Sequence, residues 1–305
     1  MKYIGLFNYD ADGALCAIMA SRHYHPEKHF ASGYGKLDFN IKKAIQYSKD
    51  RDIPGICIGD WSLTLDQYKV IEDHFEEIIH IDHHRTSREV YDYLGRGDEL
   101  NTILCAGAQW AQHISKLGHR FSSADKLLIG ATNAYDNWQT NNKNFQLGKD
   151  LTDLFYEINF WDYIRRFDTG YDGFFEHEVD FIEKTKATRN KVLAAGVYEE
   201  VGSDSLVAVI SDGSAANDVT LYKPTYKKYF IISAARNTGT ISMSVRSKCP
   251  EYKVGESLQE LEKQLGSDEV GAAGGHDGAG GIGFTNNSFE YTLDLLEDYI
   301  NRESA

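Results

Sequence analysis

Three short apolar runs in the first third of the chain each end in acid, and this pattern most constrains the fold. Tyr3 to Phe7 leads into Asp10-Ala11-Asp12-Gly13, Ile53 to Ile58 into Gly59-Asp60, and Ile78 to Ile81 into Asp82-His83-His84. Helical spacing follows over Ala14 to Tyr24 and Leu65 to Phe75, and continues through Ala106 to Leu117, Ala124 to Ala134 and Leu151 to Phe167. Strand, turn and helix in repetition predict an α/β fold, a parallel sheet flanked by helices on both faces. In an open parallel sheet the carboxyl ends of the strands lie along one edge, and ligands bind there. Asp10, Asp12, Asp60 and His83 are therefore expected to converge although they are far apart in sequence.

Each piece taken alone has an ordinary reading. Asp-x-Asp-Gly is a common turn, a strand-terminal Asp such as Asp60 often caps the next helix, and "HIDHHRTS" (residues 80–87) is in isolation a histidine-rich bend. The conjunction of three acid-ended runs points further. Carboxylates and imidazoles crowded into a cleft repel one another and lose solvation unless cations neutralise them. Mixed oxygen and nitrogen donors suit Mn²⁺, Fe²⁺, Zn²⁺ or Co²⁺ better than Ca²⁺, which takes oxygen ligands.

Beyond the first half the pattern changes. A charged helix over about Phe174 to Ala195 reads as a spacer, with a surface helix of one larger domain as the alternative. Ser205 to Ile210, Tyr229 to Ala234 and Thr240 to Val245 read as strands, Ser257 to Leu265 as a helix, and Phe289 to Asn301 as a last helix. Between the last two lies the glycine-rich stretch Gly271 to Gly283, read as a phosphate-approaching backbone because glycine lets N–H groups come close. The expected division is a catalytic α/β domain over 1–170, a helical linker over 171–200 and a smaller mixed α/β domain over 201–305. Lys223, Lys227 and Lys228 with their tyrosines read as a solvated sheet edge, and His23, His25 and His29 as a surface loop.

Composition bounds the partners. With 32 basic and 46 acidic residues the formal net charge is −14, which argues against coating long duplex nucleic acid but leaves room for a short nucleotide held by local cations. Cys16, Cys57, Cys105 and Cys249 are far apart with no C-x-x-C pair, as expected of reduced, mostly buried thiols in a cytoplasmic protein. The amino-terminal run turns polar too soon for a signal peptide, and no run is long enough to cross a bilayer. A cytoplasmic protein without membrane contact is expected.

"YDADG" (Tyr9 to Gly13), "GD" (Gly59, Asp60), "DHH" (Asp82 to His84) and "GGHDGAGG" (Gly274 to Gly281) occur in an order that resembles the DHH superfamily of phosphoesterases. That superfamily includes RecJ-type exonucleases, oligoribonucleases and nanoRNases, cyclic-dinucleotide phosphodiesterases and manganese-dependent pyrophosphatases. "GGHDGAGG" resembles the signature of the DHH-associated C-terminal domain, which accompanies the nuclease and nucleotide branch. The likeness spans nearly the whole chain, and Cys16 and "VRS" (Val245 to Ser247) look most like the oligoribonuclease and cyclic-nucleotide phosphodiesterase group.

The resemblance implies roles. Asp10 matches a ligand of one metal and Asp12 of the other, Asp60 the carboxylate that bridges both, His83 a direct ligand and Asp136 the last carboxylate ligand. Asp60 and His84 are the catalytic pair, with His84 facing the scissile phosphate, and Asp82 is expected to orient His83. Arg246, Gly274, Gly275 and His276 match the groups that grip the terminal nucleotide or its phosphate. Two Mn²⁺ ions are the implied cofactor, with Mg²⁺ or Co²⁺ as substitutes. Many relatives carry a histidine or aspartate two residues before the first Asp, or a histidine four before it. Asn8 and Leu6 stand there instead, so the metal on Asp10 and Asp60 is expected to be held more weakly, or Asn8 to take a modest ligand role.

The implied activity is metal-dependent hydrolysis of short oligonucleotides or linear or cyclic dinucleotides to mononucleotides, by a monomer or a homodimer. The alternatives are a catalytically silent nucleotide-binding protein, a RecJ-like single-strand exonuclease, and a pyrophosphatase, against which the glycine-rich motif speaks.

Overall fold

The computed structural model describes residues 1–33, 36–201, 205–210, 213–222, 228–233, 240–247, 253–265, 270–276 and 279–285. The chain forms two compact units, Met1–Ile182 and Glu183–Ala305. The first contains β1 (Tyr3–Asn8), α1 (Ala11–Ser21), β2 (His29–Ser32), α2 (Leu37–Arg51), β3 (Gly55–Gly59), α3 (Leu65–Glu72), β4 (Glu77–Ile81), α4 (Arg88–Tyr93), α5 (Ala106–Lys116), α6 (Ser123–Asp136) and α7 (Phe145–Arg166), the last broken at Asn159. α8 (Glu176–Ala195) runs across the boundary between the units.

The four strands lie in the order β2-β1-β3-β4, all parallel. Both faces are covered, so β1 is buried along its whole length and apolar as far as Phe7, as parallel strands between helices are. The period of two sorts its side chains. Ile4 and Leu6 join the core made with Ile41 and Ile45 of α2 and Tyr68 and Ile71 of α3. Tyr3 and Phe7 join the opposite core, with Leu15 of α1, Trp110 of α5, Leu128 of α6 and Phe155 of α7. α1 is buried from Ala11 to Ala20, which explains its run of small and apolar residues.

Strand order reverses direction between β1 and β3, so a crevice opens between their carboxyl ends. Phe7, Gly59 and Ile81 pair in one row across β1, β3 and β4. The next residues, Asn8, Asp60 and Asp82, lie together at that edge: Asn8 ends β1, still paired with Ser32 of β2, and Asp60 and Asp82 follow the last residues of β3 and β4. Gly59 is required there, because a Cβ on it would lie 2.6 Å from Cys16 Cβ on α1.

β2 and α2 lie where no strand or helix was expected. His29 is not in a surface loop. It opens β2, its ring centroid lies 5.5 Å from that of Phe7, and burial lowers its pKa to about 4. α2 follows, and only its stripe of Leu37, Ile41, Ala44, Ile45 and Ser48 is buried.

The second unit holds β5 (Val197–Val201), β6 (Ser205–Ile210), α9 (Val219–Tyr222), β7 (Lys228–Ser233), β8 (Thr240–Ser247), α10 (Val254–Leu265), β9 (Val270–His276) and β10 (Ala279–Thr285). They build a six-stranded sheet in the order β5-β6-β7-β8-β10-β9, antiparallel except for β6 and β7. The glycine-rich stretch is thus mostly strand: β9 and β10 pair directly, Ala279 opposite His276. Lys228 and Tyr229 belong to β7, which is paired on both sides, and not to a sheet edge. Lys223, Tyr226, Lys227, Cys249 and the expected helix over 289–301 lie outside the described residues. Among the described residues no helix is long and apolar enough to cross a membrane.

Candidate metal centre

The crevice at the carboxyl ends of β1, β3 and β4 gathers Asn8, Asp10, Asp12, Asp60, His83, His84 and Asp136, all singled out in the sequence. Asp10 caps the amino end of α1, accepting the Gly13 N–H at 2.8 Å, so its reading as an ordinary turn residue holds for one oxygen. Asp60 does not cap a helix; Thr64 does, in a reciprocal capping box with Gln67. Asp60 instead sits at φ +59, a left-handed conformation that costs a non-glycine residue energy and is commonest at functional sites. Asp136 arrives from the last position of α6.

Asp12 is fixed from an unexpected direction. Its two oxygens accept the N–H groups of Ala106 and Gly107 at 2.8 and 2.9 Å, at the start of α5. The residue before that helix, Cys105, makes no side-chain cap. The four unpaired N–H groups at a helix start need acceptors, and here a carboxylate from α1 supplies acceptors for two of them.

His83 lies at the centre. Its Nε2 is 3.4 Å from Asp60 Oδ1, 3.6 Å from Asp136 Oδ2 and 3.9 Å from Asp12 Oδ2. Burial, and then the positive charge of His84, lower the pKa of His83, so it is a neutral imidazole, the form that can ligate metal. The carboxylates pay for burial in the other direction. Desolvation, then Asp136, raises Asp12 to about 7; desolvation, then Asp10, raises Asp136 to about 7. Asp60 is pushed well above the carboxylate range by desolvation and by Asp10, Asp12 and Asp136 together.

These donors fit divalent metal. Asp12, His83 and Asp136 offer atoms all within 4.8 Å of one another, as do Asp60, His83 and His84. The separations around His83 exceed a hydrogen bond but suit ligands sharing one ion, which at a bond length near 2.1 Å and right angles lie about 3 Å apart. Asp136 Oδ2 is buried without a hydrogen bond, a cost that a cation would offset.

Asp82 does not orient His83, contrary to expectation. It accepts from His84 Nδ1 at 2.7 Å and from Ser87 Oγ at 2.5 Å, and its own N–H donates to the Tyr91 hydroxyl at 3.0 Å. Asp82 is wholly buried. Burial opposes charge on His84, but the Asp82 carboxylate and its hydrogen bond outweigh that and lift His84 to about 9; in return His84 holds Asp82 well below the usual carboxylate range. Ser87 and Tyr91 were not found from sequence; the only local signal is their spacing after the DHH triplet. His80 takes no part. As the penultimate residue of its strand it points away, to the Trp61 carbonyl at 2.9 Å.

Asn8 joins the crevice through its amide. Its Oδ1 accepts the Tyr9 N–H at 2.9 Å, and its Nδ2 donates to Asp10 Oδ2 at 2.6 Å and to Asp60 Oδ2 at 3.3 Å. Leu6 is core. In the second unit Arg246 and His276 both pair with Ala279, and Gly275 and Gly274 with Gly280 and Gly281, so the four sit on strands either side of β10.

The ion-free chain is expected to lose stability between pH 7.5 and 9. In that window unfolded histidines are already mostly neutral, as are His29, His80, His83 and His113 in the fold, which burial holds low. When folded, His84 keeps its proton to about 9 and Asp12 and Asp136 theirs to about 7, and desolvation raises Asp60 in the same direction. The unfolded chain has already released those protons, so the folded state binds more and each extra proton costs about 1.4 kcal/mol per pH unit. Melting of chelator-treated protein should drop by a few degrees from pH 7.5 to 9, and saturating Mn²⁺ should abolish the drop. A flat or rising profile without metal would contradict these electrostatics.

No protein-family model and no curated protein matches the chain. Solved structures do. A DHH domain from a member of the s1p family of ribosomal proteins is 15% identical with a TM-score of 0.68, covering 98% of this chain and 86% of that one. RecJ from Thermus thermophilus, in complex with Mn²⁺, is 13% identical with a TM-score of 0.55; 99% of this chain is covered, spanning 52% of RecJ. At such identities the likeness shows the fold alone: the chain is folded like that DHH domain and like RecJ.

Proposed function

We propose that the chain is a two-metal-dependent phosphodiesterase acting on short oligonucleotides or on linear or cyclic dinucleotides, releasing mononucleotides. One observation carries this reading: Asp12, Asp60 and His83, all buried, and the partly exposed Asp136 come from four separate places in the chain and meet in one crevice, where three carboxylates crowd a single neutral imidazole. Asp12, His83 and Asp136 would hold one divalent cation, and Asp10 with Asp60 the other. Bound cations would supply a water acidified toward neutral pH and offset charge on the phosphoryl oxygens. Mn²⁺ is the first ion to test, since RecJ of the same fold was solved with it, with Mg²⁺ and Co²⁺ next.

The protein's own groups have defined tasks. Asp82 and Ser87 fix His84, whose imidazolium is suited to donate to a phosphoryl or leaving oxygen. Tyr9, next to Asp10, is 41% exposed and its ring lies on Phe160 at 5.9 Å and 24°, a backed surface on which a base can stack. Arg246 offers a planar fork for phosphate, and Gly274, Gly275 and His276 the remaining grip on the nucleotide end. The charge of −14 favours a small substrate over a long strand. The buried free thiols Cys16, Cys57 and Cys105 suit a reducing cytoplasm.

Incubation with Mn²⁺ and labelled di- to pentanucleotides, cyclic dinucleotides and pyrophosphate tests the proposal. Metal-dependent conversion of the nucleotides to mononucleotides is expected. Saturable binding without product would make the chain a nucleotide-binding protein, and phosphate release from pyrophosphate alone would make it a pyrophosphatase.

A further inference from the structure

In the middle of α7 the backbone of Asn159 takes φ +65 and ψ 170, a region almost reserved for glycine. The residue is held there by its own side chain. Its Oδ1 accepts the N–H groups of Trp161 and Asp162 at 3.0 and 3.3 Å, and its Nδ2 donates to Asp162 Oδ2 at 2.8 Å. Asn159 thus caps a fresh start of the helix, as asparagine does well. The break re-aims Phe160. Phe155 and Phe160 are five residues apart, so on an unbroken helix their side chains would point about 140° apart. Across the break their rings meet, with centroids 6.4 Å apart, and both pack on Tyr9, Phe155 edge-on at 5.5 Å and Phe160 stacked at 5.9 Å. Both phenylalanines are fully buried, whereas Tyr9 is 41% exposed. The backbone of Tyr9 is fixed as well, its N–H shared between the Ser32 carbonyl at 2.7 Å and Asn8 Oδ1 at 2.9 Å. Its α-carbon lies about 3.8 Å from that of Asp10, the next residue. The break therefore puts a rigid floor under an exposed ring at the edge of the acidic crevice.

From this geometry we infer that the broken helix builds a base subsite: Tyr9, stacked on Phe160 and propped by Phe155, takes the flat face of an unpaired nucleobase, and Asn159 is the positioning residue that keeps the ring presented. The inference rests on the nucleotide reading of the crevice and specifies what it selects, a phosphate ester that carries a base, and not pyrophosphate or a bare sugar phosphate. A ring already fixed by its neighbours loses little freedom when a base lands on it, and stacking of one base on one aromatic side chain is worth about tenfold in affinity or more. Every base has a π-face, so the subsite selects for the presence of a base more than for its identity.

AMP and ribose 5-phosphate, which differ by the base, test it. With Mn²⁺ present, equilibrium dialysis against the full chain should show AMP bound more tightly by about tenfold or more. Tyr9→Leu should bring the two ligands close to equal, and Tyr9→Phe should keep the preference. Asn159→Ala, which favours a continuous helix, should weaken the preference, and Asn159→Gly, which accepts the broken backbone, should retain it. In hydrolysis of linear diadenylate, Tyr9→Leu and Asn159→Ala should act on KM more than on kcat, the mark of lost binding. Equal affinity for AMP and ribose 5-phosphate in wild type, or a preference that survives Tyr9→Leu, would overturn the inference while leaving any measured dinucleotide hydrolysis in place. A preference for AMP without hydrolysis of any dinucleotide would keep the subsite and remove the phosphodiesterase reading. The wild-type comparison decides even where a variant fails to fold.

Discussion

Asp60→Asn is expected to lower phosphodiester hydrolysis at least about a thousandfold, equivalent to about 4 kcal/mol of barrier, and at the same time to raise the melting temperature of the ion-free chain. The two effects share a cause. Asp60 is 3% exposed, sits 3.4 Å from His83 and is surrounded by Asp10, Asp12, Asp82 and Asp136, all of which push its pKa up after desolvation. Without cations the carboxyl must either take up a proton or stay ionised where charge is unwelcome. An amide of the same shape avoids both, and relief of an unpaired buried group is worth about 1–3 kcal/mol. Asn also tolerates the left-handed backbone at φ +59 better than most residues. With metal present the balance is expected to reverse, because in the proposed centre the carboxylate would hold the ions. Steady-state hydrolysis with Mn²⁺ and thermal melting with chelator give the two readouts. Activity within tenfold of wild type, or a lowered melting point, would show that Asp60 is not the hinge of the centre.

Gly13→Ala is expected to destabilise the first unit by about 3 kcal/mol or more, at the upper end of overpacking costs. A Cβ at Gly13 would lie 2.2 Å from the Asn8 carbonyl oxygen, 2.8 Å from its carbon and 2.9 Å from its nitrogen. All three are backbone atoms of a strand held in register with β2, so no side chain can move aside. Alanine is the better helix former by about 1 kcal/mol, and that gain opposes the clash without cancelling it. For a unit of this size the loss corresponds to a drop in melting temperature of roughly 10 °C. Equilibrium denaturation of the variant checks the sign. An unchanged or raised stability would mean that α1 can slide along the sheet edge, and with it Asp12.

Much of this architecture was legible in the chain. Tyr3 to Phe7, Ile53 to Ile58 and Ile78 to Ile81 announced themselves because strands buried on both faces must be apolar throughout, and β1, β3 and β4 carry them. β2 was hidden because His29 to Ser32 is short and only half buried, and a polar α2 with one apolar stripe gave a faint signal beside it. Asp10, Asp12, Asp60 and His83 followed from strand ends alone. Asp136 did not, since a helix terminus offers no such marker, and it came from resemblance. The partner of Asp82 was misassigned because His83 and His84 differ only by one step of backbone, and which ring turns back is settled by Ser87 and Tyr91 in three dimensions. The glycine-rich stretch lacks the alternation that marks a strand, so the pairing of β9 with β10, and of β10 with β8, was hidden in it.

A side chain that closes one helix while facing a polar crevice cannot be tuned for a single purpose. Asp12 receives the first two N–H groups of α5 with its two oxygens, and one of these, Oδ2, also lies 3.9 Å from His83 Nε2. Redesign of this centre for another ion would therefore have to begin elsewhere, because exchanging Asp12 for a histidine or cysteine would leave the start of α5 without its acceptor and shift the wall of the crevice itself.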